Sequence, residues 1–250
     1  MPARLRLTSR LAALAGACLL ALSAAPARAD AIIPGATGAF EVEYLNFILD
    51  HHWSGLRATE LAAGSVPDST AANVPPTINP YPGSPESFPP VAGKATNEVV
   101  LDIAPKSNES QRMEIEEGQG FLQDWYGVSA TLEVPPSGAE LISILDAAAP
   151  GDPFNIAFLT NFSMHHIMAI ARSLECVERA GHAELRDYCS NIVQMQTMDV
   201  QRMRAELLNE YGIRFDTPIP GEVPEPAALG LLGLGVLGTA YLRRRRTAIG

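Results

Sequence analysis

The chain has 250 residues, 47% of them hydrophobic, with 28 acidic side chains against 18 basic ones and a net charge of −10. Eight of those 18 basic residues are arginines at the two ends (Arg4, Arg6, Arg10, Arg28 and Arg243 to Arg246), and every acidic residue lies between Asp30 and Glu225, so the region between carries ten positive charges against 28, a net −18. Such a surface repels nucleic acid and anionic lipid, which argues against a nucleic-acid partner; it attracts cations and favours solubility.

Residues 1–29 begin with Arg4, Arg6 and Arg10, continue as an apolar run from Leu11 to Ser23, and end in Ala27-Arg28-Ala29. A basic start, an apolar run too short to span a bilayer and small residues at the peptidase positions make a cleaved secretory signal. An uncleaved anchor is the alternative; a lipoprotein site at Cys18 is disfavoured because Ala15 stands where leucine is usual.

The rest of the chain repeats itself. Phe40, Tyr44, Leu45, His51 and His52 recur 114 positions later as Phe154, Phe158, Leu159, His165 and His166. Gln111, Met113, Glu114, Leu122, Tyr126 and Gly127 recur 85 positions later as Gln196, Met198, Asp199, Leu207, Tyr211 and Gly212. The 29 extra residues of the first copy fall between Ser65 and Thr96, a stretch with eight prolines that cannot be helical and has little to bury.

Apolar spacing predicts helices over Phe154–Glu178 and His182–Tyr211, broken at Ala180-Gly181 and ended at Gly212, with Gly127 ending the equivalent helix of the first copy. Two such hairpins make an all-α chain, an antiparallel four-helix bundle. The expected divisions are a signal at 1–29, a first hairpin at 30–133 with its Pro-rich insertion at 65–96, a second hairpin at 134–216, and a linker and tail at 217–250. Cys176 and Cys189, the cysteines left after signal removal, are expected to form a disulfide in an oxidising compartment.

The tail has Val223-Pro224-Glu225-Pro226, then 16 apolar residues from Ala227 to Leu242, then Arg243 to Arg246. A helix of that length reaches about 24 Å, and Tyr241 and the arginines can snorkel to complete a transmembrane helix with a cytoplasmic C-terminus. These residues resemble the PEP-CTERM sorting signal. The resemblance implies recognition by an exosortase, cleavage near the motif, and a protein placed at the cell surface or in the extracellular matrix, held at least transiently at the membrane. A plain membrane anchor is the alternative.

Several polar residues fall on apolar stripes: His52 and His166 on the first helix of each repeat, Gln111 and Gln196 on the second. Counting ten residues back from Cys176 and ten forward from Cys189 places His166 and Asp199 at one level of the second hairpin, with Met164, His165, Met168, Met195, Met198 and Val200 nearby. Two readings stand. In one, the histidines, glutamines and carboxylates form a structural hydrogen-bond network and the methionines fill core space. In the other, imidazole and thioether groups bind a soft metal, copper foremost.

The motifs Met164-His165-His166, Met168-Ala169-Ile170-Ala171, His182-Ala183-Glu184-Leu185, Ile192, Gln196, Asp199-Val200 and Met203 resemble the family catalogued as domain of unknown function 305. That resemblance implies an exported, ferritin-like helical bundle and copper binding. By position the ligand candidates are Met164, His165, His166, Met168, Met195, Met198 and Met203. Asp199 stands where the family has glutamate. The first copy keeps His51, His52, Gln111, Glu114 and Trp125-Tyr126-Gly127 but lacks both cysteines, so its polar residues are read as network.

No glutamate is followed three positions later by histidine, which argues against a ferritin-type di-iron site, and no phosphate loop, Cys-x-x-Cys pattern or nucleophile elbow is present. The expectation is a non-enzymatic metal-binding protein, with a structural or interaction protein of the envelope or matrix as the alternative.

Overall fold

The computed structural model describes residues 33–67, 69–76 and 90–222. The secretory signal, Cys18, the membrane tail and residues 77–89 of the Pro-rich insertion lie outside the described residues. Among the described residues no helix is long and apolar enough to cross a membrane.

Five helices account for the fold: α1 (Gly35–Ala63), α2 (Glu98–Tyr126), α3 (Pro136–Ala147), α4 (Asp152–Arg179) and α5 (Ala183–Tyr211). α1 packs on α2 and α4 on α5, making two hairpins; α1 also meets α4, and α2 meets α5. The short α3 lies on α1 and α4. It is a correction to the four-helix expectation. α2 ends at one end of the bundle and α4 begins at the other, so the connection must run the bundle's length, and it buries Leu141 and Leu145 on the way.

The core has two parts. One gathers Phe40, Tyr44, Leu45, Leu122, Trp125, Leu185 and the cysteines. The other gathers Phe154, Phe158, Phe162, Leu61, Ile103, Met203 and Leu207. Between them every long helix contributes buried polar residues: His51 and His52, Ser107, Asn108 and Gln111, His165 and His166, and Gln196. Apolar burial drives the two ends together; the layer between them needs partners.

Helix ends follow local chemistry. Asn97 caps α2, accepting from the backbone N–H groups of Val99 (2.9 Å) and Val100 (3.1 Å). Gly127 (φ 64°) and Gly212 (φ 65°) end α2 and α5 in the left-handed region that a side chain disfavours. Cys176 and Cys189 are disulfide-bonded, with Cα atoms 6.1 Å apart across the α4–α5 turn.

The repeats also cap each other. Glu41 of α1 accepts from the N–H groups of Gly181 (2.6 Å) and His182 (3.0 Å) at the start of α5. Its other oxygen meets His182 Nδ1 at 2.6 Å and the hydroxyl of Tyr126. Asn155 of α4, the equivalent of Glu41, accepts from the N–H groups of Thr96 (3.0 Å) and Asn97 (3.4 Å) before α2. Each repeat's first helix thus satisfies donors at the start of the other repeat's second helix, groups with no intrahelical acceptor.

The described part of the insertion is tied down at its stem. Val66 N–H donates to the carbonyl of Pro75 (3.2 Å), and Arg112 of α2 donates to the carbonyl of Pro76 (2.7 Å).

Candidate metal-binding cleft

At the centre of the polar layer, His51 and His165 face each other across the repeat axis. Their rings stack with centroids 3.6 Å apart and 11° between planes. His51 Nε2–H donates to the carbonyl of His165 (2.9 Å). Burial first, then the neighbouring imidazoles, hold both far below the ordinary histidine value, so both are neutral near pH 7. Neutral imidazole is the form that binds metal.

On either side stand His52 and His166, each beside a carboxylate. His52 Nε2 lies 2.8 Å from Glu114 Oε2, and His166 Nε2 lies 3.6 Å from Asp199 Oδ2. Ser107 of α2 donates to the same Asp199 oxygen at 3.2 Å. The order Glu114, His52, His51, His165, His166, Asp199 follows the duplication.

A cleft of about 150 Å³ opens where α2 meets α5, with His166, Gln111, Glu114, Gln196, Met195, Met198 and Asp199 among its walls. Met195 and Met198 are about half exposed at its rim. Both ring nitrogens of His166 and the Oε1 atoms of Gln111 and Gln196 are buried without a hydrogen-bond partner among the described residues. Lys106 and Arg202 at the mouth are engaged by Asp102, at 2.6 and 2.7 Å. The cleft therefore offers thioethers, imidazole and carboxylate, and the two cations at its mouth share the carboxylate of Asp102.

The seven expected ligands do not form one cage. Met164 and Met168, on the α4 face turned towards α3, line a separate groove of about 250 Å³ with His165, Asn161 and Glu140. Met203 is fully buried among apolar side chains and is a core residue. His166, Met195 and Met198 share the cleft. α2 forms a wall of the same cleft and brings Gln111 and Glu114, read from the sequence as network residues, together with Ser107 to the site. Among the described residues no three of His, Cys, Asp and Glu are grouped to hold an ion. A metal here must draw on methionine sulfur or amide oxygen as well.

His182 lies elsewhere. Its ring stacks on Trp125 (centroids 3.9 Å, 8°) and pairs with Glu41, so the His-x-Glu-Leu element serves the junction between repeats.

Comparison with known proteins agrees with this architecture. Three solved chains cover 68–69% of this chain and 97–98% of their own length at 16% identity: CopM in the Cu(II)-bound form (TM-score 0.52), in the Cu(I)-bound form (0.52) and in the Ag-bound form (0.51). At that identity the likeness establishes the fold alone. No curated protein matches. The PEP-CTERM protein-sorting motif matches residues 222–246, which implies export, recognition by an exosortase and surface sorting. Residues 90–207, from the end of the insertion through α5, match the family described as domain of unknown function (DUF305), and the chain carries a domain of that family.

Proposed function

We propose that this chain is an exported, surface-sorted, ferritin-like bundle that binds a soft metal ion, copper foremost, in the cleft between α2 and α5. One observation carries the reading. His166 is buried with neither ring nitrogen hydrogen-bonded among the described residues, its Nε2 3.6 Å from Asp199 Oδ2, at a cleft whose rim exposes two thioethers, Met195 and Met198. An unpartnered buried polar group costs about 1–3 kcal/mol, and exposed methionine gains nothing from burial. A soft monovalent ion uses both, because thioether and imidazole donors suit Cu(I). Support comes from the likeness in fold to proteins solved with copper and silver. The sorting tail supports a role outside the cytoplasm; storage or buffering is part of the same proposal. Membrane anchoring through residues 227–242 belongs to the same proposal.

The test is a competitive Ag(I) or Cu(I) titration of the full chain. Replacing Met195 and Met198 with leucine should weaken binding about tenfold or more while leaving the melting temperature in place. Unchanged affinity in that variant overturns the assignment.

A structural reading draws on one observation: His51 is engaged inside the bundle, stacked on His165 and bonded to its carbonyl through Nε2. It gives no account of the exposed methionines at the cleft rim.

A further inference from the structure

The first repeat lacks the cysteines and the methionine before its histidine pair, yet it holds the closer imidazole–carboxylate pair. His52 Nε2 and Glu114 Oε2 are 2.8 Å apart, against 3.6 Å for His166 and Asp199. At 2.8 Å a hydrogen bond would be expected, but neither atom has one: the carboxylate oxygen lies off the direction in which the ring nitrogen points. His52 is fully buried, and its Nδ1 has no partner among the described residues either.

Two donors bound side by side to one ion stand slightly farther apart than the 2.8 Å of His52 and Glu114. With bonds of about 2.1 Å and angles of about 90–109°, two ligand atoms lie about 3.0–3.4 Å apart. The two pairs fall on either side of that range. An ion along the ring nitrogen's lone pair would also require the carboxylate oxygen to sit off axis. A third donor is in register: Gln111 lies three residues before Glu114, so both project from one side of α2 into the cleft, and its Oε1 is buried and unpartnered. Gly55 makes room for it, since a Cβ there would lie 2.2 Å from Gln111 Oε1.

We propose that His52, Glu114 and Gln111 form a cation site of their own, taking a borderline divalent transition ion such as Zn(II) through one imidazole nitrogen, one carboxylate oxygen and one amide oxygen, with water completing the shell. It contains no sulfur, and two of its donors, Glu114 and Gln111, line the cleft whose rim carries Met195 and Met198. The degenerate repeat is then a second binding unit with different metal preference.

The test uses the full chain stripped of metal and titrated with Zn(II) against a chromophoric chelator. Glu114→Gln should weaken Zn(II) about tenfold or more and Ag(I) by a smaller factor, while replacing Met195 and Met198 with leucine should weaken Ag(I) and leave Zn(II) affinity unchanged. Unchanged Zn(II) affinity in Glu114→Gln overturns the proposal, whatever Ag(I) does. Should that variant fold poorly, X-ray absorption of the unaltered chain with one equivalent of Zn(II) decides. An N/O shell with imidazole scattering supports the site; a sulfur scatterer, or no imidazole, overturns it.

Discussion

Glu41→Gln is the most informative single change outside the cleft. The Glu41 carboxylate is fully buried and meets four donors from three places: Tyr126 at the end of α2, the N–H groups of Gly181 and His182, and the ring of His182. Burial opposes its ionisation, but the hydrogen bonds from Tyr126, from the backbone and ring of His182 and from Gly181 together outweigh it and hold its pKa below the ordinary 4.5. Glutamine keeps the shape but turns one oxygen into an NH2 group, so two donors then face a donor. Hydrogen bonds to a charged group are worth about 1.5–3 kcal/mol each, so the expected loss is about 3–5 kcal/mol. Urea denaturation at pH 7 measures it, through a lower midpoint at unchanged slope. The native carboxylate releases its proton more readily than the unfolded one, so its contribution is present above pH 4.5 and is lost as pH falls through the lower folded value. The variant should therefore lack that part of the acid transition. A loss below about 1 kcal/mol would refute the reasoning, because the junction would then not depend on charge.

Two further outcomes follow from the same geometry. Gly55→Ala should cost about 1–3 kcal/mol in thermal unfolding, since its Cβ would meet Gln111 Oε1 at 2.2 Å and His165 Nε2 at 3.1 Å and must expel the glutamine; wild-type stability would show that the contact relaxes freely. In metal-free protein, His51 and His165 are neutral when folded and gain protons on unfolding below the ordinary value of 6.5, so stability should fall with acidification from about pH 6.5 down to their lowered folded values. The slope approaches about 1.4 kcal/mol per pH unit for each histidine, and a flat profile between pH 6.5 and 5 would contradict their burial.

Much of the frame is legible in the sequence because its signals are local. Gly127 and Gly212 mark helix ends through a backbone conformation that other residues resist, and the cysteine pair sets the register that brings His166 to Asp199. The duplication shows that the buried glutamines belong to one layer. What escapes is non-local or a matter of helix face. α3 buries only Gly138, Leu141 and Leu145, too few for a clear period. Met198 and Met203 lie about 140° apart around α5, so residue type alone could not tell that one rims the cleft and the other fills the core. The partnership of Glu41 with residues 140 and 141 positions away has no local signature, although the repeat offsets map it onto Asn155 with Thr96 and Asn97.

That exchange of caps bears on how the molecule matures after export. The leading hairpin emerges with a carboxylate on α1 that has Tyr126 but awaits its donors at residues 181 and 182, and α2 begins at backbone groups whose acceptor sits on α4. Neither half can finish alone. A newly translocated chain must wait for its final third before its leading half is secure, and the two copies, free to diverge in chemistry, are bound to a common fate in folding and in proteolysis.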